Sequence, residues 1–124
     1  MKKNIILDKS YLFSIRIVKM FQYLNKNGVE RALLLQVLRS GTSVGANIEE
    51  AMGASSPKDF INKLSISYKE ARETRYWLRL LKDTQLLESA HATSLLSDCN
   101  ELLCIIGSIQ KTMKNKEKSY KDPT

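Results

Sequence analysis

Apolar residues along this chain recur every three or four positions, a spacing that predicts helices throughout. Leu34, Val37, Gly41, Val44, Ile48 and Ala51 alternate steps of three and four, which is the seam of a packed helix over about 30–54. Ala92, Leu95, Cys99, Leu102, Ile106, Ile109 and Met113 repeat the pattern and predict another over about 89–116. A helix over about 8–24 is expected to start at Asp8 as its cap and to stop at Asn25-Lys-Asn-Gly28, where glycine admits a left-handed residue. One over 57–83 opens with Ser56-Pro-Lys-Asp59, which supplies a capping hydroxyl, a proline at the first helical position and an acid three residues after the cap. Helices joined by such short links reverse direction from one to the next. The pattern therefore predicts an all-α protein, an antiparallel up-down-up-down four-helix bundle, as a single domain over 1–124 with a basic tail from about 117.

Two helices carry more apolar surface than one bundle core needs. On the first, Phe13, Ile17, Met20 and Leu24 form one stripe, while Tyr11, Ile15 and Val18 fall nearly opposite. On the third, Phe60, Leu64, Tyr68 and Ala71 share a face, and Ile66, Trp77 and Leu80 project elsewhere. Self-association is the expected use of that surplus.

The charge is uneven. Of the formal net charge of +7 on 124 residues, +5 lies within residues 1–31 and +3 within 111–124, leaving the middle at −1. An excess this large favours polyanionic partners. In the predicted topology both termini lie at one end, so Lys2 and Lys3 are expected near Lys111, Lys114, Lys116, Lys118 and Lys121 as a basic pole. A second candidate is the stripe Arg72, Arg75, Arg79 and Lys82, which steps along one side of the third helix with Tyr76 nearby. Neither surface carries a base-reading motif, so binding through them is expected to be driven by shape and phosphate; the competing reading of each is a solvated helix face.

Other constellations argue for structure rather than catalysis. Glu88-Ser-Ala-His91 matches half of a di-iron element, but His91 is the only histidine, so no metal is expected. Gly41-Thr-Ser-Val-Gly45-Ala-Asn47 lacks the spacing and the following lysine of a phosphate loop; its small residues suit close helix packing. Arg39, Asn47, Glu49, Glu50, Glu70 and Glu73 lie on or beside core stretches. Two carboxylates on neighbouring helices suit acid–base work, but no nucleophile accompanies them, and a network in which Arg39 satisfies Glu50, Glu70 or Glu73 is preferred. Cys99 and Cys104 point about 140° apart on one helix and read as free core thiols. The N-terminal apolar run is too short for a secretory leader and no stretch reaches membrane-spanning length, so a cytoplasmic location with no membrane partner is expected.

The stretch Leu38-Arg-Ser-Gly-Thr-Ser-Val-Gly-Ala-Asn-Ile-Glu-Glu-Ala51, followed by Asp59-Phe-Ile-Asn-Lys63 and Tyr68-Lys-Glu-Ala-Arg-Glu-Thr-Arg-Tyr-Trp-Leu78, resembles the bacterial four-helix-bundle proteins first noticed as reading frames inside intervening sequences of 23S ribosomal RNA genes. The resemblance implies assembly into a homopentameric ring. It also implies a functional relative, the accessory protein of diversity-generating retroelements, which works with a reverse transcriptase and binds nucleic acid through a basic surface. In that light Arg39, Asn47, Glu50, Glu70, Glu73 and Trp77 read as fold and assembly residues, with no catalytic set and no cofactor to carry over. The expectation is a non-enzymatic homo-oligomer that binds RNA or DNA electrostatically, as an accessory to a nucleic-acid enzyme. The alternative is a protein–protein adaptor or scaffold that binds no nucleic acid.

Overall fold

The structure, a computed structural model, describes residues 4–121. It contains four helices and, among the described residues, no strand: α1 (Ile5–Lys26), α2 (Arg31–Met52), α3 (Pro57–Asp83) and α4 (Ser89–Lys121). Each helix packs on its chain neighbours, and α1 also meets α4, so the four enclose one core. Cross-helix bonds pair rising residue numbers with falling ones. Arg16 reaches Asp98 and Lys9 reaches Glu101; on the opposite side of the core, Thr74 meets Ser40 and Ser67 meets Val44.

The predicted seams line the core. Phe13, Ile17, Met20 and Leu24 of α1 are buried, as are Leu34, Val37, Val44, Ile48 and Ala51 of α2 and Ala92, Leu95, Cys99, Leu102 and Ile106 of α4. Ser56 caps α3 by accepting a hydrogen bond from the Asp59 amide, with Pro57 in the first turn. Four buried hydroxyls interrupt the apolar core, and each is satisfied locally. Ser67 donates to the Val44 carbonyl at 2.8 Å, and Thr74 donates to Ser40 or to the Glu70 carbonyl. Ser10 and Ser40 donate back to carbonyls of their own helices.

Three expectations need correction. First, α1 begins at Ile5 rather than Asp8, because the Asn4 side chain accepts from the Leu7 amide and caps the helix one turn earlier; Asp8 sits in the first turn. Second, α4 continues to Lys121, so most of the segment read as a tail is helical. Third, only Cys99 is a core thiol. Cys104 is exposed, because it falls about 140° around α4 from the buried seam.

Two glycines let α1 and α2 approach closely. A Cβ at Gly41 would lie 2.9 Å from the Ile17 side chain, and one at Gly45 would lie 2.9 Å from Ser14 Oγ and 3.1 Å from the Ser10 carbonyl. No described helix is long and apolar enough to cross a membrane.

Candidate nucleic-acid interface

The helices bring the chain's charges into two unlike arrangements. Along most seams, bases and acids pair. Lys9 and Arg16 of α1 hold Glu101 and Asp98 of α4 at 2.8 and 2.5 Å; Lys63 of α3 holds Glu50 of α2 at 3.2 Å. Arg39 of α2 bridges Glu70 and Glu73 of α3, and the Trp77 indole N–H donates to the same Glu73 carboxylate at 3.1 Å. Hydrogen bonds donated to Glu73 and then to Glu70 hold the Arg39 guanidinium still more firmly protonated than usual, and the bond to Glu101 does the same for Lys9.

Arg39 thus joins Glu70, Glu73 and Trp77 in one network, as expected, but Glu50 is not in it; Lys63 takes that carboxylate. Asn47 is also outside, its side-chain amide donating back to the Ser43 carbonyl on its own helix. The network lies on the surface, with the Arg39 side chain half exposed, so its contribution is that of a surface ion-pair cluster. The pairs from Lys9, Arg16 and Lys63 carry no sequence signal, since each joins helices through the packing register alone.

The face shared by α3 and α4 carries no ion pair among the described residues. Arg72, Arg75 and Arg79 are exposed and make no ion pair among the described residues; Lys82, half-buried, continues the same row. Lys111, Lys114, Lys116 and Lys118 of α4 are exposed as well. Two contacts set the register between the helices: the Tyr68 ring lies over Gly107, and Gln110 donates to Ser65 at 3.2 Å. At 100° per residue, Arg72, Arg75 and Arg79 stay within about 40° of the direction of Tyr68, and Lys111, Lys114 and Lys118 within about 40° of the direction of Gly107. All six cations therefore share the α3/α4 face. Lys116 falls about 180° from Gly107 and leaves it. Lys2, Lys3 and the side chain of Lys121 lie outside the described residues.

Tyr76 is exposed at the rim of this face and packs edge-on against Trp77, with ring centroids 5.0 Å apart. Beneath the face, Cys99 is buried between the helices and donates to the Ala71 carbonyl; burial pushes its thiol up to about 12, which leaves it protonated and unreactive. No group of three or more His, Cys, Asp or Glu side chains among the described residues is placed to hold a metal.

The opposite side of the bundle, formed by α1 and α2, is apolar. Tyr11, Ile15, Val18 and Leu35 are exposed there, Tyr11 by 63%. Leu7, Tyr11, Ser10, Ser14, Thr42, Gly45, Ala46 and Glu49 line a shallow groove of about 290 Å³ between the two helices.

A family model described as "23S rRNA-intervening sequence protein" matches residues 2–108 of the chain. Among solved structures, a protein of unknown function from the S23 ribosomal protein family of Bacteroides thetaiotaomicron VPI-5482 is 45% identical, with a TM-score of 0.84. The match covers 86% of this chain and 98% of that one. No curated protein matches.

Proposed function

The chain belongs to the 23S rRNA-intervening sequence protein family, and on that premise we propose that it is a non-enzymatic, homo-oligomeric antiparallel bundle that binds RNA or DNA through charge as an accessory to a nucleic-acid enzyme in the cytoplasm. One observation carries the reading. The ion pairs among the described residues engage Asp98 and Glu101 on α1/α4 and Glu50, Glu70 and Glu73 on α2/α3, and none of them involves Arg72, Arg75, Arg79, Lys111, Lys114 or Lys118, which stand together on one face. Exposed cations on a rigid helix pair attract a phosphate backbone and read no sequence. Glu50, Glu70 and Glu73 are engaged by Lys63 and Arg39, which argues against their use as general acids or bases.

The apolar α1/α2 side supports self-association, and the resemblance noted from the sequence makes a five-membered ring the expected form. Because α1/α2 and α3/α4 lie on opposite sides of the bundle, assembly through the first leaves the cationic face of every copy outward. Several weak phosphate contacts then add as one multivalent surface. The same apolar side also favours a second reading, in which the groove between α1 and α2 docks a different protein and the positive charge serves solubility.

Fluorescence anisotropy with labelled RNA and DNA at low and physiological salt separates the two. The first reading expects affinity that falls steeply with salt. In R72E/R75E/R79E, three phosphate contacts should vanish, reducing the slope of log K against log[salt] by about 3 and the affinity on the order of 100-fold. Salt-insensitive or absent binding by the intact oligomer would put the adaptor reading first.

A further inference from the structure

The six cations of the α3/α4 face are arranged symmetrically about one contact. Counting from Tyr68, the arginines of α3 follow at plus four, plus seven and plus eleven; counting from Gly107, which lies under the Tyr68 ring, the lysines of α4 follow at the same offsets. The two helices run in opposite senses, as the Gln110–Ser65 and Cys99–Ala71 bonds record. Equal offsets on opposed helices place the triplets on either side of the Tyr68/Gly107 contact, related by a local two-fold axis through it.

At a rise of 1.5 Å per residue, each triplet covers about 10 Å, the triplet centres stand about 22 Å apart, and the outermost members about 33 Å apart. A double helix presents phosphates with the same symmetry. Its two strands are antiparallel and related by dyads, its major groove is about 12 Å wide before the phosphate radii are added, and one turn rises about 34 Å. A single strand has no dyad and gains nothing from a fixed spacing. It is usually held by exposed aromatic rings along a basic groove. Of the aromatic rings near this face, Tyr68 is half-buried over Gly107 and Tyr76 sits at the rim against Trp77, which leaves no stacking platform between the triplets.

We infer that the α3/α4 face takes double-stranded nucleic acid, with one cation triplet on each strand's backbone and the Tyr68/Gly107 contact beneath the duplex dyad. This inference rests on the nucleic-acid reading above and names its substrate class. The shared chemistry is the paired phosphate ridges of a duplex, which RNA and DNA both supply.

The test compares four labelled probes on the full chain: RNA and DNA duplexes of about 20 base pairs, and unstructured single strands of each type of about 40 nucleotides, so that phosphate number is matched. At a fixed salt concentration, at least one duplex should bind about tenfold or more tightly than its single strand, and whichever duplex is favoured identifies the source. Replacing either triplet, by R72E/R75E/R79E or by K111E/K114E/K118E, should erase that preference, because one cluster alone cannot sense the spacing. The replaced side chains are exposed, and helical circular dichroism checks that the fold persists. Single strands binding as tightly as duplexes in the unmodified protein would overturn the inference while leaving the nucleic-acid reading in place. Absence of binding to all four at low salt would overturn both.

Discussion

The protein is built from two helical hairpins with the same buried spacing and opposite outward character. In α1–α2 the helices are drawn together by Gly41 and Gly45 against Ile17, Ser14 and Ser10, and the outer surface is Tyr11, Ile15, Val18 and Leu35. In α3–α4 a large ring, Tyr68, fills the space over Gly107, and the outer surface is Arg72, Arg75, Arg79 and the lysines of α4. Since both hairpins bury apolar residues at three-four steps, the seam specifies the bundle and the outward positions specify what each side meets. An apolar exterior is costly in water unless another surface covers it, whereas a cationic exterior is stable there and awaits a counter-charge.

The largest effect should come from exchanging these characters. Tyr11→Glu, Ile15→Glu and Val18→Glu together place three acids on the outward side of α1, outside the buried core. Light scattering should then report a folded monomer in place of the proposed oligomer, and nucleic-acid affinity should fall by about 100-fold or more as multivalency disappears. The matching change on α3, R72E/R75E/R79E, should leave the mass unaltered and lower affinity on the order of 100-fold. An unchanged mass in the α1 variant would show that the apolar side is not the assembly surface.

A smaller effect separates the two interiors. A Cβ at Gly45 meets a backbone carbonyl at 3.1 Å, which cannot move aside cheaply, while one at Gly107 meets the Tyr68 ring at an ordinary 3.6 Å. Gly45→Ala should therefore destabilise by about 1–2 kcal/mol, overpacking outweighing improved helix propensity. Gly107→Ala should stabilise by up to about 1 kcal/mol. Urea midpoints for the pair should move in opposite directions; movement in the same direction would mean that the hairpins are packed alike.

Much of this was legible in the sequence, and the boundary is physical. Seams, the Ser56 cap and the surplus apolar face of α1 follow from local periodicity, which a single helix expresses alone. The start of α1 was misplaced because Asn4 and Asp8 are both competent caps, and the choice between them depends on where the first turn packs. The basic stripe on α3 was visible, as was the run of lysines on α4. Their union was not, because it depends on Tyr68 meeting Gly107, a register between helices that neither helix encodes by itself. The partners of Lys9, Arg16 and Lys63 were hidden for the same reason, and so was the placement of Glu50 outside the Arg39 network.

That network ties one hairpin to the other, which makes Arg39→Ala the next test. It releases Glu70 and Glu73 and leaves the Trp77 indole bonded to Glu73. With Arg39 half exposed, the expected loss is about 1 kcal/mol or less. Oligomeric mass and nucleic-acid affinity should not change, because the network lies on neither proposed surface. A loss of assembly in this variant would extend the self-association surface onto the α2/α3 seam.

The smallest expected effect lies in the turns that close the hairpins. Both use a left-handed residue: Gly28 at φ 80° after α1, and Gln85 at φ 61° after α3. At Gln85 the reason is visible, since the Leu86 and Leu87 amides both reach back to the Leu81 carbonyl and satisfy the end of α3 only if the chain turns left-handed between them. A side chain in that conformation costs about 1 kcal/mol that glycine does not incur, but glycine also loosens the unfolded chain. Gln85→Gly should therefore stabilise by only about 0.5 kcal/mol, the difference between these two terms. Gly28→Ala should destabilise by about 1 kcal/mol, and since nothing lies within 4 Å of a Cβ there, that loss measures backbone conformation alone. If both substitutions leave the urea midpoint where it was, the turns adjust freely and the hairpins are set by their seams; if they shift it in opposite directions, each turn holds its hairpin in register, and on α3–α4 that register is what brings the two cation triplets to one face.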